Sequence, residues 1–591
     1  MVAKAPAHLH LGELELARSA LQRARAEGSD ARGGDAGGKE NDQLLIVAAR
    51  LDSASGEPAS ARAILDRLRG AGDRGAAAID IDILSLATEL ALNDGQLQSA
   101  VTYGHAALDL IGEVHGQLES RRLGPAWSQK TAETANRVAI AHLRFTLPGR
   151  HEAALTAIER TRGLHFRQLA RTKLAGIDEP TVAGCKALAR AAQTCVMADR
   201  LSTAGEVADL EYYRQLERAQ ARVGGRSPAA NREFDLYSLQ NSLGDGAVAL
   251  DVICVAGHEC YLKQITGSAV RADRIGDQVS IQRGVSDAVS AIRTQSGDAT
   301  SRLIELANSI LVRLSSGARD VLVVNSGVMA SLPVEAMILL SRRPQLQGVS
   351  SVRRIPTLAA VGSTPSSLGL GPELVIVANP TFGQDPNQVD HTDDSFRPWA
   401  QKSLRPLPGT QREAEAILKL FADSSTRLYS GPDATRVNLL SAETRSARII
   451  HIASHGYFSA VTPDMVGIAT AAEAGQPFGF VTATELESYD FAAELVVVSG
   501  CETGLGLPQG GEGMLSVGRS FLARGAHNVV ATLWPVSDSA SADFMHLFYA
   551  AMKRDGEPPA PALHSARRLL PRAPRTRAPL FWAGYTLASR H

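Results

Sequence analysis

The first ~220 residues alternate apolar and polar positions with the spacing of amphipathic helices, and no run among them has the pattern of a strand. The stretch LSLATELALNDGQLQSAVTYGHAALDLI is typical, with an apolar helical run on either side of a glycine turn. Glycine permits a tight turn between two antiparallel helices, and a small alanine lets the second helix approach the first. A G-x-x-x-x-A signal of this kind occurs four times, at Gly12/Ala17, Gly56/Ala61, Gly95/Ala100 and Gly149/Ala154.

These repeats predict helical hairpins that stack into a solenoid and offer a grooved surface to a partner. The pattern resembles the turn and small-residue positions of tetratricopeptide repeats. Its spacing departs from the regular period of that family and most aromatic positions are missing, so an irregular helical bundle stays open as the alternative. Two glycine-rich segments interrupt the pattern: residues 28–42 predict a flexible loop, and residues 223–234 predict the boundary to a second domain.

Beyond that boundary the pattern changes to short β-branched runs separated by helical stretches. Several runs are continuously apolar, as strands covered on both faces must be. Strands that alternate with helices predict an α/β sandwich with a mostly parallel central sheet. The runs begin at Ala247 (AVALDVICV), Val321 (VLVVN), Leu374 (LVIVA), Ala447 (ARIIHIA), Leu495 (LVVVS) and Asn528 (NVVATLW).

Composition narrows the class of protein. The chain has 591 residues, which predicts more than one domain, and 44% hydrophobic with 21% charged residues describes a globular protein. A formal net charge of -1 gives no global attraction to nucleic acid or membrane. With no long apolar run and no signal pattern at the start, we expect the cytoplasm. Five scattered cysteines without a CxxC pair indicate neither a disulfide framework nor structural zinc, and we expect four of them to be inert.

Reactive side chains follow two of the predicted strands. His455 and Gly456 come just after IIHIA, and Gly500 and Cys501 come just after LVVVS. Catalysis gathers at the carboxyl ends of parallel strands, so neighbouring strands would bring the imidazole and the thiol together at one rim. A thiol with a pKa near ~8.5 gains nucleophilicity from a nearby imidazole, which can then protonate a leaving amine. The backbone N–H groups of Gly456 and Cys501 are the candidate oxyanion hole.

The spacing and several longer motifs carry a family resemblance. His455 precedes Cys501 by 46 residues, similar to the caspase arrangement. With GEGMLSVGRSFLARGAHNVVATLWPVSD, PLFWAGYTL, VLVVNSGVMASLPVEAM and LPGTQREAEAI, the chain resembles the CHAT proteases, bacterial relatives of caspases and separases that commonly follow tetratricopeptide-like repeats. The resemblance implies a caspase-like α/β sandwich with Cys501 as nucleophile, His455 as general base and acid, and neither metal nor cofactor. Ser454 and Gly500 replace a Thr and an Ala that are frequent in the family.

The resemblance also implies a domain organisation for the chain. Residues 1–222 form a regulatory helical repeat domain, residues 223–232 a linker, and residues 233–591 the protease domain. Within the last, about 247–370 is a non-catalytic half and 371–591 the catalytic half. The partners it implies are a protein substrate and a regulatory protein on the repeats, in bacterial stress, defence or cell death, for example with a gasdermin-like substrate. The alternative is an inactive protein-binding scaffold, against which the intact His455, Gly456 and Cys501 weigh.

One acidic residue is a candidate for substrate specificity. The segment LWPVSD, which ends at Asp538, resembles a separase segment in which an acid receives a basic P1 side chain. A carboxylate there could pair with Arg or Lys. Alternatively, Asp538 or Ser537 beside it caps the following helix.

Other motifs are better explained by structure. His451 and His455 are spaced like the HExxH ligands, but Ile452 takes the acidic position, and four residues of strand would separate the histidines by about 13 Å. The G-x-x-x-x-G-R-S run at 513–520 lacks the lysine of a phosphate-binding loop and predicts a buried helix. The proline-interrupted basic run at 567–577 favours a solvated loop over a nucleic-acid contact.

Overall fold

The structure of the protein is a computed structural model, and its chain divides into two compact units. The helical unit comprises Met1–Leu118, Gln129–Arg162 and Asn231–Phe234, and the α/β unit comprises Glu119–Ser128, Gly163–Ala230 and Asp235–His591. No helix in the described part of the chain is both long and apolar enough to cross a membrane. The structure describes residues 15–16, 18–23, 36–70, 77–117, 125–171, 187, 191, 215, 234–311, 313–315, 317–362, 367–382, 406–458, 466–472, 478–500, 508–509, 513–514 and 516–590.

The helical unit is built from hairpins whose turns lie at the predicted glycines. Gly56, Gly95 and Gly149 have φ of 81°, 73° and 77°, a region that glycine enters without steric cost. At the first two turns the backbone N–H of Gly56 and Gly95 bonds back to the preceding helix, which closes the helix end. The helices are α1 (Ala36–Ala54), α2 (Pro58–Gly70), α3 (Ala77–Asn93), α4 (Leu97–Gln117), α5 (Pro125–Arg144) and α6 (Arg150–Glu159).

The alanines of the repeat signal are at the packed positions that the sequence predicts. Ala61, Ala100 and Ala154 are each 0% exposed. The helical hairpins are therefore confirmed, while Gly12/Ala17 lies outside the described residues. The predicted loop at 28–42 is wrong in its second part, because α1 begins at Ala36.

The α/β unit contains an eleven-stranded sheet in the order β3-β2-β1-β4-β5-β16-β15-β12-β8-β6-β7, a three-stranded sheet β11-β10-β9, and a short hairpin β13–β14. The strands are β1 (Ala247–Cys254), β2 (Glu259–Ile265), β3 (Val270–Asp277), β4 (Asp320–Val324), β5 (Ser351–Ile355), β6 (Leu374–Pro380), β7 (Thr426–Gly431), β8 (Ile449–Ala453), β9 (Gly456–Phe458), β10 (Val466–Thr470), β11 (Gly479–Thr482), β12 (Leu495–Val498), β13 (Pro508–Gln509), β14 (Gly513–Met514), β15 (Asn528–Thr532) and β16 (Tyr585–Ser589).

Helices connect these strands, and the longer ones cover the large sheet. They are α7 (Leu164–Arg171), α8 (Leu236–Ser242), α9 (Gln278–Arg293), α10 (Ala299–Ile310), α11 (Val334–Leu340), α12 (Pro344–Gln347), α13 (Pro408–Leu420), α14 (Arg436–Leu439), α15 (Ala442–Arg445), α16 (Ala483–Leu486), α17 (Val517–Ala523), α18 (Asp538–Arg554) and α19 (Pro559–Leu569).

The large sheet consists of two halves whose strands run in opposite directions, except that β2 is antiparallel to its neighbours β1 and β3 in the first half. The first half is β1–β5 with β16, and the second half is β6–β8, β12 and β15. Strand β16 is parallel to β5 but antiparallel to β15, so the direction reverses between β16 and β15. Within the second half every pairing is parallel. The predicted fold class, a helical region followed by an α/β domain with a largely parallel sheet, is confirmed.

Apolar side chains fill the core on both faces of the sheet, because successive strand residues point to opposite sides. Val497 belongs to the core cluster on one face, and its neighbour Val496 belongs to the cluster on the other. Phe166 and Leu169 of α7 pack into this second cluster together with Phe521 of α17. The sequence pattern placed α7 in the helical domain, whereas in the structure it belongs to the α/β unit.

Two of the cysteines form a pair. Cys254 in β1 lies opposite Cys260 in β2, with their Cα atoms 4.3 Å apart, and the two form a disulfide. The expectation that both are separate inert thiols is therefore wrong, because the register of this hairpin brings two positions six residues apart face to face. Cys185, Cys195 and Cys501 lie outside the described residues.

Candidate active site

The two strands that precede the predicted dyad are neighbours. β8 and β12 pair in parallel, Ile449 with Leu495 and Ile452 with Val498, an offset of 46 positions. The N–H of Ser499 donates to the carbonyl of Ile452 at 2.7 Å and extends this pairing past the end of β12. His455 therefore follows β8 at the same edge of the sheet at which Gly500 follows β12. Cys501 itself lies outside the described residues.

A cavity opens at this edge, at the carboxyl ends of β8, β12 and β15. It encloses about 400 Å³ of empty space, part of which is open to solvent. His455 and Asp538, which the sequence proposed on separate grounds, both line it. The full lining is Leu407, Thr410, Glu413, Ser454, His455, Ser499, Gly500, Thr532, Val536, Asp538, Ser541 and Tyr585.

His455 is held on several sides. Its side chain is buried, and its ring lies beside that of Phe382 with the centroids 5.8 Å apart. Its carbonyl accepts a hydrogen bond from the N–H of Ala469 at 2.9 Å. The hydroxyl of Ser454 donates to the carbonyl of the same Ala469 at 2.6 Å. The end of β8 is thus fastened to β10, which fixes the backbone that carries the imidazole.

The backbone N–H of Gly456 points away from its paired strand. Gly456 lies opposite Ile468 in the antiparallel pairing of β9 with β10. Because Ala469 donates to the carbonyl of His455, the next pair along, Gly456 with Ile468, is of the non-hydrogen-bonded kind. The ladder with β10 therefore does not use the N–H of Gly456.

Asp538 is the first residue of α18 and is half-buried. Ser537 occupies the position before the helix, but its side chain makes no capping hydrogen bond. The Asp538 side chain lies against Gly409 of α13, where a Cβ atom would overlap it. The glycine of the LPGTQREAEAI motif therefore makes room for the carboxylate of the LWPVSD motif.

Hydrogen bonds between the strand ends close the walls of the cavity. The Thr532 hydroxyl donates to the Gly500 carbonyl at 2.9 Å, and the hydroxyls of Ser499 and Ser541 are 3.0 Å apart. The indole N–H of Trp534 donates to the carbonyl of Leu580 at 2.9 Å. The turn after β15 is thereby fixed to the segment that leads into β16.

Glu413 is a lining residue that the sequence analysis missed. It is 1% exposed, and its Oε1 lies 2.9 Å from Nε2 of His451. Nδ1 of His451 is 3.1 Å from the Tyr549 hydroxyl, and burial together with Glu413 raises the pKa of Tyr549 well above its ordinary value. His451 is thus a buried strand residue with polar neighbours. The available signal for Glu413 was an acidic residue on the face of α13 that carries Thr410, Ala414 and Ile417.

Metal chemistry has no obvious donor set in this region. Among the residues that the structure describes, no group of three or more His, Cys, Asp or Glu side chains converges as a metal ion requires.

Most of the α/β unit matches a known domain family. Residues 299–590 match the family model of the CHAT domain. These residues form a CHAT domain. The match runs from α10 to β16 and includes His455, Gly456, Cys501 and Asp538. The resemblance inferred from the motifs is therefore confirmed.

Two curated relatives share part of the chain. Tetratricopeptide repeat protein 28 of Mus musculus is 26% identical over 214 residues, and its Homo sapiens counterpart is 25% identical over 214 residues. Each match covers 31% of this chain but only 8% of the relative's own length.

Solved structures show weaker likenesses. The separase–securin complex of Saccharomyces cerevisiae is 9% identical with a TM-score of 0.44, covering 99% of this chain and 49% of that chain. The Arg-specific cysteine proteinase gingipain R is 9% identical with a TM-score of 0.30, covering 50% of this chain and 67% of that one.

Proposed function

We propose that the CHAT domain is a cysteine endopeptidase in which Cys501 is the nucleophile and His455 the general base and acid. The strand register carries this proposal. β8 and β12 pair with an offset of 46 positions, which equals the separation of His455 and Cys501 in the sequence. Strands that continue in this register bring the two side chains to the same level of adjoining segments.

The chemistry follows from groups at this edge. His455 takes the proton of the Cys501 thiol, and the thiolate attacks the carbonyl carbon of the scissile peptide bond. The oxyanion that forms can accept hydrogen bonds from the N–H groups of Gly456 and Cys501. His455 then protonates the departing amine, and a water molecule hydrolyses the thioester to release the acid and restore the thiol.

Substrate preference is proposed from Asp538. Its carboxylate lines the cavity that also contains His455, and a basic P1 side chain entering there would form a charged hydrogen bond with it. The competing role as a helix cap has less support, because Asp538 is the first helical residue and Ser537 makes no side-chain cap bond.

We further propose a modular protein in which a partner on the helical unit controls cleavage. The sequence division was 1–222, 223–232 and 233–591, but α7 belongs to the α/β unit, so we take the regulatory part to end before Gly163. A role in bacterial stress, defence or cell death, with a gasdermin-like or effector substrate, is supported by the family resemblance alone.

Thiol labelling tests the peptidase proposal against the inactive scaffold. An alkyne-tagged iodoacetamide at limiting dose, followed by peptide mapping, reports the relative reactivity of Cys185, Cys195 and Cys501, the cysteines outside the Cys254–Cys260 disulfide. We expect Cys501 to react fastest and His455→Ala to slow it, since the imidazole raises the thiolate fraction. Labelling of Cys501 no faster than that of Cys185 or Cys195 would instead support the scaffold.

A further inference from the structure

The cavity beside His455 contains a second carboxyl group. Glu413 and Asp538 both line it, and the lining residues that the structure describes include no Lys or Arg. Glu413 is nearly sealed from solvent at 1% exposure, whereas Asp538 is half-buried. The cavity therefore has an acidic group deep inside and another nearer its mouth.

The partners of Glu413 do not fully satisfy it. Its Oε1 lies 2.9 Å from His451 Nε2, but the two are not aligned as a hydrogen bond, and neither atom has another hydrogen-bond partner among the described residues. A buried carboxylate is costly unless it is paired and hydrogen-bonded. A cation that enters the cavity would supply the missing donors.

The spacing along α13 suits one elongated cation. Gly409 and Glu413 are four residues apart, so they lie on one face of the helix, about one turn apart. The Asp538 side chain lies against Gly409, where a Cβ would overlap it. The two carboxyl groups thus follow one another along the same helix face, about one turn apart.

We infer that Glu413 is a second specificity-determining residue, which contacts the end of a basic P1 side chain whose inner N–H groups face Asp538. This inference rests on the proposed peptidase function. A guanidinium, with five N–H donors in a planar fork, can serve two carboxylates at once, whereas an ammonium is a compact point charge. Substrates with Arg at P1 are therefore preferred over Lys, and both over a neutral side chain.

The experiment compares peptides that differ only at P1: Arg, Lys and citrulline, the neutral analogue of Arg. It uses the full-length protein as wild type, Glu413→Gln and the control Glu415→Gln, an exposed position two residues further along α13. We expect Glu413→Gln to lower kcat/KM for the Arg peptide by about 10–100-fold, with little change for citrulline. Glu415→Gln should leave both values within about twofold of wild type.

A purely structural Glu413 gives a different result. In that case Glu413→Gln lowers the melting temperature through His451, and the ratio of Arg to citrulline cleavage stays at the wild-type value. Glu413→Asp distinguishes the specificity role from the structural role further. It keeps the carboxyl group and should restore part of the ratio of Arg to citrulline cleavage. An unchanged ratio in Glu413→Gln overturns the inference.

Two measurements keep the inference testable should the Glu413 variants fail to fold. Asp538→Asn, which leaves Glu413 intact, should retain a reduced preference for Arg over citrulline; complete loss of that preference overturns the inference. Iodoacetamide labelling of Cys501, which needs no P1 side chain, reports the peptidase chemistry alone. Rapid labelling of Cys501, together with cleavage rates that do not depend on the P1 residue, contradicts only the two-carboxylate pocket. Labelling of Cys501 no faster than that of Cys185 or Cys195 contradicts the peptidase proposal itself.

Discussion

The two halves of the large sheet share one architecture, but their strand ends differ. At the end of β5 in the first half, Arg354 is 2% exposed and its Nε donates to Glu335 at 3.0 Å. Its Nη1 also donates to Asn325 Oδ1 at 3.1 Å and to the Met329 carbonyl at 3.0 Å. Both strand ends border a cavity, but Arg354 at the first is held by an ion pair and several hydrogen bonds, whereas the second contains His455. The same architecture thus carries a hydrogen-bonded ion pair at one strand end and a candidate catalytic histidine at another, and these side chains decide which end can do chemistry.

The largest expected effect concerns α7, which supports the second half. Phe166 and Leu169 pack into its core, and Arg524 donates to the carbonyl of Leu169 at 3.2 Å. Removing residues 1–222 should destabilise the α/β unit by about 3–6 kcal/mol, because two buried apolar side chains contribute about 1.5–3 kcal/mol each. Urea unfolding measures the difference.

Removal of residues 1–162 alone is the matched control, since it retains α7. We expect it to preserve the stability of the α/β unit and the labelling of Cys501. Equal stability of the two shortened chains would show that α7 does not support the second half.

The next largest expected effect is the loss of stability on breaking the ion pair of the first half, Arg354 with Glu335. Arg354→Met should cost about 3–5 kcal/mol, because it leaves Glu335 buried without its partner. Arg353→Met is the control: Arg353 pairs with Asp320 nearer the surface, and its loss should cost only about 0–1 kcal/mol. Similar losses in both variants, measured by urea unfolding, would mean that the end of β5 gains no stability from burial of its ion pair.

Acid should reduce the difference between wild type and Arg354→Met. Burial acts to raise the pKa of Glu335, but the charges of Arg354 and Arg567 outweigh it and lower that pKa. The contribution of the ion pair is therefore present above the unfolded-state pKa near 4.5 and lost as the pH falls through the folded-state value. A difference in unfolding free energy that stays constant from pH 7 to pH 3 contradicts this account.

The smallest expected effect is at the cavity beside His455. Gly409→Ala puts a Cβ where the Asp538 side chain lies, and such overpacking typically costs about 1–3 kcal/mol. It should also weaken cleavage after basic residues. Gly297→Ala in the first half has no atom within 4 Å of the added Cβ and should be neutral. Thermal unfolding and peptide cleavage of both variants check this, and an unchanged P1 preference in Gly409→Ala would separate Asp538 from substrate recognition.

The elements that the sequence predicted share a simple pattern. The six predicted strands are mostly apolar runs. By contrast, β5 was missed because Arg353 and Arg354 interrupt its pattern. The reversal of strand direction could not be predicted, because it depends on β16 pairing with β5 more than 200 residues earlier. An amphipathic pattern shows which face of α7 is buried but not what covers it.

Some parts of the candidate site could also be predicted from the sequence, and others could not. His455 and Cys501 could be proposed because both follow apolar strands, and the structure confirms that those strands are neighbours. Glu413 was missed because its place on the buried face of α13 does not show that it lines a cavity until the neighbouring elements are known. The shared cavity of His455 and Asp538 likewise depends on the contact between α13 and α18, which no single motif encodes.

Peptide cleavage by active-site variants tests the central claim most directly. Fluorogenic peptides with Arg at P1 are offered to the wild type, Cys501→Ala, His455→Ala and the thiol control Cys195→Ala, with thermal unfolding recorded for each. We expect Cys501→Ala and His455→Ala each to lower kcat/KM by at least about 1,000-fold at unchanged melting temperature, while Cys195→Ala keeps its activity. Wild-type cleavage rates in Cys501→Ala would contradict this expectation.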